Sequence, residues 1–186
     1  MISASVISTV PVVETPRLRL RGHHRGDFEQ AVALWASPSV YRFIGGKART
    51  REETWARLLR YAGHWLWMKY GFWAVEEKAT GGFIGEVGYA EQMRELEPPL
   101  VGLPEMGWVL APQFHGRGYA QEAVQAAQCW FAQHHARKPT CCIIDPDNLR
   151  SIHLAQKCGF REWQRAIYHQ QPILVFLHHS SELGFS

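Results

Sequence analysis

Two glycines separated by one residue, Gly116 and Gly118, lie between a predicted strand and a predicted helix. Because glycine has no Cβ, the backbone there can turn sharply and approach a ligand closely. The first N–H groups of the following helix have no partner inside it, and that helix end carries about half a positive charge. A pyrophosphate group fits such an end. The spacing therefore predicts a site for a phosphorylated ligand, where Arg117 either adds a charge-assisted contact or points into solvent.

Two common nucleotide-binding motifs do not fit this stretch. The dinucleotide fingerprint G-x-G-x-x-G/A requires Gly or Ala at position 121, where the chain has Gln121, and an acidic residue about 20 positions further on. The Walker loop requires G-K-[ST] after a wider gap, and this sequence is absent. Both classes of nucleotide site are therefore excluded.

The elements that must position the glycines follow from hydrophobic periodicity and capping signals. After residue 100 the predicted elements are a strand at Glu105–Leu110, a helix over 120–134, a strand at Thr140–Ile144, a helix capped by Asp147 or Asn148 and ended by Gly159, and strands over 161–168 and 173–178. Before it they are a strand over 17–21, a helix capped by Asp27 that runs to about residue 36, a helix from Thr50 to Gly71, and paired strands over 72–76 and 83–90.

The helix that follows Thr50 has the clearest signals. Glu53 lies three residues after Thr50, as in a capping box. Its tryptophans Trp55 and Trp65 recur at helical spacing with other apolar residues, so both are predicted to lie in the core.

Composition limits the class of protein. The chain has 186 residues, of which 46% are hydrophobic and 20% charged, as in an ordinary globular domain. We expect one domain over 14–180, with a flexible N-terminal segment at 1–13 and a tail at 181–186. The net charge of +3 is too small for a nucleic-acid surface, although it suits a ligand with several phosphates. No apolar stretch reaches the roughly 18 residues of a membrane span. The apolar N-terminus lacks a basic region and contains Pro11, so a cytoplasmic protein is expected.

The cysteines and histidines predict neither disulfides nor a metal site. The four cysteines have no C-x-x-C spacing, and adjacent Cys141 and Cys142 should point to opposite faces of a strand. The histidine pairs lack any spacing that would bring two rings to one metal ion. Buried thiols and surface histidines are the expected roles.

Three ordered strings of residues resemble one family. The first is Gln113-x-x-Gly116-x-Gly118, followed by Tyr119-Ala120-x-Glu122-Ala123. The second is Asn148-x-x-Ser151-x-x-Leu154-x-x-Lys157-x-Gly159-Phe160, and the third is Thr15-x-Arg17-Leu18-x-Leu20-Arg21 near the start. The first two resemble the acetyl-CoA motif and the downstream signature of the GNAT N-acetyltransferases. The third resembles the opening of the ribosomal-protein-alanine acetyltransferase branch of that family.

The resemblance implies a fold and a cofactor. The expected fold is α/β (α+β): a single mixed, mostly antiparallel sheet of about six or seven strands, flanked by about four helices and splayed at a central parallel strand pair. Acetyl-CoA would be the co-substrate, with no metal. The residues implied in its binding are Val109 and Leu110 for the pantetheine arm, Asn148 for a further contact with that arm, and Gln113, Phe114, His115, Gly116, Arg117, Gly118, Tyr119 and Ala120 around the pyrophosphate.

The resemblance also implies candidate catalytic residues. Glu105, at the start of the strand that leads to the glycines, is the candidate base, and Glu86 is a second candidate. Ser151 is the candidate proton donor to the departing thiolate. Each has a structural alternative, because Glu105 could form a salt bridge, Ser151 could bond to the backbone, and Asn148 could simply cap its helix.

Two classes of function remain open. The first is an N-acetyltransferase that acts on a protein N-terminus or a small-molecule amine by direct attack. The second is a non-catalytic acetyl-CoA sensor, which Glu105 and Ser151 argue against because both mechanistic positions hold competent groups. A nucleic-acid-associated module has little support at this charge. We expect a monomer or a homodimer, with no membrane partner.

Overall fold

The computed structural model describes residues 10–97, 99–135 and 138–179. These residues form one mixed sheet of eight strands in the order β1-β2-β3-β4-β5-β6-β8-β7. The strands are β1 (Val13–Glu14), β2 (Leu18–Arg21), β3 (Phe72–Glu77), β4 (Gly82–Ala90), β5 (Glu105–Leu110), β6 (Thr140–Ile144), β7 (Arg161–Tyr168) and β8 (Gln171–His178). The helices are α1 (Phe28–Trp35), α2 (Pro38–Tyr41), α3 (Arg51–Met68), α4 (Tyr119–His134) and α5 (Leu149–Lys157).

The sheet and the helices are each one element richer than the sequence predicted. The additional strand is β1, which pairs with β2 through only two residues and starts inside the expected N-terminal segment. The additional helix is the single turn α2. Both elements are too short to show a periodicity. Residues 1–9 and 181–186 lie outside the described residues.

Parallel pairing occurs at one place in the described sheet. β5 and β6 run parallel and pair at Glu105 and Cys141, whereas all other neighbouring strands are antiparallel. The connection between them is α4, because parallel strands need a crossover of this kind. The predicted central parallel pair is therefore confirmed.

Capping signals explain where α3 begins and ends. The Thr50 hydroxyl accepts a hydrogen bond from the N–H of Glu53 at 3.1 Å, and the Glu53 carboxylate accepts one from the N–H of Thr50 at 2.8 Å. This is the predicted capping box. The helix ends at Met68 because Lys69 adopts a left-handed conformation with φ 62°, two residues before Gly71.

Asp27 occupies the predicted N-cap position of α1, but its side chain has a different role. A 3-10 turn over Arg25–Asp27 precedes the helix, and the Asp27 side chain does not cap it. The carboxylate of Asp27 is buried and accepts two hydrogen bonds of 2.8 Å from Arg21 instead. A buried carboxylate is stabilised far more by a guanidinium than by a helix end, so the ion pair prevails.

The helices pack on both faces of the sheet, and α3 contributes to both. On one face, α4 and α5 cover the main core, which includes Trp73, Cys142 and Trp65 of α3. On the other face, Leu58 and Tyr61 of α3 pack with α1, and the loop before β5 places Leu96 and Leu100 against Cys141. The two adjacent cysteines thus face opposite sides, and all four thiols are free, as predicted. Cys129 differs from the other three because it is exposed.

Candidate active site

The strand register leaves main-chain groups of β5 facing a gap. The N–H of Ala111 donates to the carbonyl of Ile84, so β5 residues alternate between hydrogen bonds to β4 and exposure toward β6. The main-chain N–H and C=O groups of Trp108 and Leu110 therefore point toward β6. Across β5 and β6, both described in full, pairing is confined to Glu105 and Cys141. The strands therefore separate along Trp108 and Leu110.

This register changes one predicted contact. Val109 is paired with Glu86 in the β4 ladder, so its main-chain groups point away from the gap. The main-chain groups that face the gap beside those of Leu110 belong instead to Trp108, which is not among the predicted contacts. The carbonyl oxygen of Leu110 lies 2.8 Å from Nε2 of His115. The N–H of Leu110 faces the gap.

The two glycines form a turn at the end of this gap. Gly116 and Gly118 have φ values of 75° and 76°, in the left-handed region that favours glycine. A Cβ at Gly116 would have no atom within 4 Å, and one at Gly118 would lie 3.4 Å from Arg17. Gly118 directly precedes α4 and forms its N-cap. The predicted turn before a helix is present.

The main-chain N–H groups of this turn divide into two sets. Those of Phe114 and His115 already donate to the carbonyls of Ala111 and Pro112. Pro112 starts a 3-10 turn there, and its geometry uses these two donors. Within the described chain, the N–H groups of residues 116–120 have no hydrogen bond. The main-chain N–H groups that can bind an anion are therefore those of residues 116–120, fewer than the predicted set of 114–120.

A clamp from the start of the chain fixes this turn. The carboxylate of Glu122, on the first turn of α4, accepts hydrogen bonds from the Thr15 hydroxyl at 2.6 Å and from the Arg17 N–H at 2.9 Å. The Arg17 guanidinium donates to the same carboxylate at 2.7 Å and to the carbonyl of Arg117 at 2.8 Å. Burial alone would raise the pKa of Glu122, but the bonds from Thr15 and Arg17 lower it overall. The opening motif therefore has a physical role that sequence reasoning missed.

The other predicted contacts of the turn lie around it. Arg117 is exposed, with its guanidinium 3.9 Å from the carboxylate of Glu77, so it keeps donors toward solvent. Tyr119 donates its hydroxyl to Glu77 at 2.7 Å. Gln113 is exposed, and Ala120 is half-buried in the first turn of α4.

Asn148 and Ser151 lie together at the start of α5, directly after β6. The side-chain oxygen of Asn148 accepts a hydrogen bond of 3.2 Å from the Ser151 N–H and caps the helix. The capping alternative is therefore present, and it uses the side-chain oxygen of Asn148 but not the amide nitrogen. Ser151 is half-buried.

Glu105 is held by an arginine. Its carboxylate accepts two hydrogen bonds from Arg94, at 2.5 and 2.7 Å, and is buried. The Arg94 guanidinium also lies over the Tyr168 ring, 4.8 Å from its centroid. The salt-bridge alternative is therefore present at the start of β5.

Glu86 is enclosed by protein. Its side chain is 0% exposed and accepts hydrogen bonds from Tyr61 at 2.7 Å and Trp35 at 3.2 Å. Its second oxygen lies 3.6 Å from Nε2 of His23. Burial would raise the pKa of Glu86, but His23 and Tyr61 lower it overall, and burial raises the pKa of Tyr61. Glu86 is thus a buried carboxylate that its neighbours keep ionised.

Neither membrane nor metal features are found in the described ranges. No helix there is long and apolar enough to cross a bilayer. No group of three or more His, Cys, Asp or Glu side chains there could hold a metal ion.

Known proteins share this architecture. The family described as acetyltransferase (GNAT) domain matches residues 17–161. The chain is 30% identical over 168 residues to YkkB of Bacillus subtilis, itself uncharacterized, covering 87% of this chain and 92% of that protein. A structure described as a GnaT-family acetyltransferase from Bordetella pertussis has a TM-score of 0.81 and 27% identity, over 90% of this chain and 99% of that one.

A more distant likeness concerns the fold. RimL, a ribosomal L7/L12 alpha-N-protein acetyltransferase whose structure contains coenzyme A, has a TM-score of 0.74 and 13% identity, over 91% of this chain and 98% of that one. The family match, over residues 17–161, covers most of the chain. The chain belongs to the GNAT acetyltransferase family.

Proposed function

We propose that the protein transfers the acetyl group of acetyl-CoA to a primary amine, by direct attack of the amine on the thioester. The observation that carries this proposal is the gap along Trp108 and Leu110, with its free N–H groups at residues 116–120. A pantetheine arm carries two amide groups, so it can form hydrogen bonds with the main chain as a strand would. The diphosphate would accept hydrogen bonds from the turn and the α4 N-terminus.

The reaction needs a donor for the oxyanion. When the amine nitrogen bonds to the thioester carbon, negative charge develops on the carbonyl oxygen. The Leu110 N–H faces the gap and is a suitable donor. The attacking nitrogen loses a proton to water, and collapse of the tetrahedral intermediate breaks the C–S bond. The sulfur takes a proton either from water or from the Ser151 hydroxyl, which water then reprotonates. Asn148 supports the pantetheine arm beside it.

The state of the two carboxylates favours an amine of low pKa. The attacking nitrogen must be neutral, and an α-amine has a pKa of about 7.7–8.0 against about 10.4 for a lysine side chain. Glu86 is fully enclosed and Glu105 is bound by Arg94, so neither carboxylate is free to contact the amine directly. Glu105 would accept the proton of the amine through water, which suffices for an amine that loses its proton easily. We therefore favour an α-amino group, as at a peptide N-terminus, over a lysine-like amine.

One assay tests this proposal. The protein is mixed with acetyl-CoA and a matched pair of acceptors, a short peptide with a free α-amine and the same peptide acetylated there but carrying a lysine. Thiol release is followed from pH 6 to pH 9. Turnover with the first peptide at ten or more times the rate of the second supports the proposal. Tight acetyl-CoA binding without release of thiol for any amine would establish the non-catalytic sensor instead.

A further inference from the structure

One face of α3 is apolar and exposed. Trp55, Leu59 and Leu66 are 37%, 55% and 46% exposed, and Ala62 lies between them. Trp55 therefore departs from the predicted core position, whereas Trp65 is buried as predicted. A single exposed apolar residue is ordinary, but a contiguous exposed row on one helix marks an interaction site.

The spacing of this row is that of a helix–helix seam. Trp55, Leu59, Ala62 and Leu66 are separated by four, three and four residues, as at the a and d positions of a heptad. Continuing the same spacing by three residues reaches Glu52 at one end and Lys69 at the other, and both are exposed. We call these six residues the α3 seam. It is polar only at its two ends, which carry opposite charges.

The α3 seam is complementary to itself in one orientation. If two copies pair antiparallel, Trp55 lies beside the partner's Leu66 and Leu59 lies beside the partner's Ala62, so large residues meet smaller ones. The same register brings Glu52 beside the partner's Lys69. A parallel pairing would instead place Glu52 beside Glu52 and Ala62 beside Ala62, which opposes like charges and leaves a void. Charge and volume both select the antiparallel arrangement.

A groove beside the seam adds to this surface. It has a volume of about 160 Å³ and is lined by side chains of α3 together with Val10, His23, His24 and Arg25. Trp55, Leu59 and Ala62 of the seam are among its lining residues. The apolar surface open to a partner therefore extends beyond the seam.

We propose that this face binds a second copy of the chain, giving a two-fold symmetric dimer through antiparallel α3 seams. A two-fold interface requires a self-complementary surface, and the α3 seam has one. The proposal does not depend on the proposed catalytic activity, because α3 contributes none of the groups that face the β5–β6 gap.

The experiment combines mass measurement with crosslinking. Light scattering and sedimentation should give a dimer at micromolar concentration. A carbodiimide, which joins a carboxylate directly to an amine, should link Glu52 to Lys69. Within one copy Glu52 lies in the first turn of α3 and Lys69 directly follows its last residue, 17 positions and about 25 Å away at 1.5 Å per residue, so that link can form only between copies.

Variants test the register. Leu59→Glu should raise the dimer dissociation constant by about 100-fold, because it places two charges in the apolar centre. Ile167→Glu, at a 65% exposed apolar residue of β7, is the matched control and should leave the mass unchanged. Glu52→Lys and Lys69→Glu should each weaken the dimer, and the double variant should restore it. A monomer at 100 micromolar, or a dimer that Leu59→Glu does not affect, would overturn the proposal; melting curves establish that each variant is folded.

Discussion

Arg17 and Glu122 are 105 residues apart in the chain and form an ion pair of 2.6 Å. Because Arg17 also donates to the carbonyl of Arg117, this pair links the start of the sheet to the turn that offers free N–H groups. The orientation of the turn thus depends on a residue far from it in sequence.

Removing this clamp should weaken cofactor binding more than catalysis. For Arg17→Gln we expect the KM for acetyl-CoA to rise by about tenfold with kcat nearly unchanged. The reason is that the guanidinium no longer donates both to Glu122 of α4 and to the carbonyl of Arg117 in the turn. Steady-state kinetics at varied acetyl-CoA measures this. Arg19→Gln is the control. Arg19 lies near Arg17 in the chain, on β2, and forms ion pairs with Glu14 and Glu76 rather than with the turn. Equal KM values for the two variants would contradict the role of the clamp.

The glycine turn allows a test with matched backbone strain. Gly118→Val should abolish acetyl-CoA binding, because a branched side chain would both oppose the positive φ and enter the anion site. Gly102→Val strains a residue of similar φ, 78°, in the loop before β5, where a Cβ would meet nothing within 4 Å. Calorimetric titration should therefore show wild-type affinity for the Gly102 variant and at least about 100-fold weaker binding for the Gly118 variant. Unchanged affinity in the latter would remove the turn from the site.

Glu105 is expected to matter most at low pH. Glu105→Gln should lower kcat/KM by about 10- to 100-fold near pH 6.5 and by less near pH 9, where an α-amine is already neutral. Arg94→Gln keeps the carboxylate of Glu105 but removes the guanidinium that binds it. Comparing the two variants therefore shows whether the carboxylate itself or its ion pair with Arg94 is needed. A pH profile of kcat/KM for the Glu105 variant parallel to that of the wild type would exclude it as a proton acceptor.

Glu86 should contribute to acid sensitivity of the fold. Its pKa is lowered in the folded protein, so the stability that it contributes is present above the unfolded value of about 4.3 and is lost as pH falls through the lower folded value. Glu86→Gln should therefore unfold more easily at pH 7, by about 1–3 kcal/mol, and lose less further stability between pH 5 and pH 3. Urea unfolding at three pH values measures both effects. A steeper acid loss in the variant would contradict the assignment.

The sequence predicts the elements of this fold better than the contacts between them. Long periodic segments such as α3 and α4, and the capping box at Thr50, depend on neighbours in the chain and are predicted correctly. The two-residue strand β1 depends on pairing with β2, so no local pattern reveals it.

Contacts in the candidate site show the same limit. Which of Trp108 and Val109 faces the gap depends on the register between β4 and β5, which neither strand specifies alone. The N–H groups of Phe114 and His115 are used by a turn that Pro112 starts, a signal that was present in the sequence. The clamp at Glu122 was contained in two of the matched strings, but only the fold brings them together.

The single residue pair between β5 and β6 has a mechanical consequence. It joins two parts of the sheet, or halves: the five strands β1 to β5 and the three strands β6, β8 and β7. A pantetheine arm lying between these halves would supply the bonds that an inner strand supplies elsewhere, so occupancy should stiffen the whole molecule.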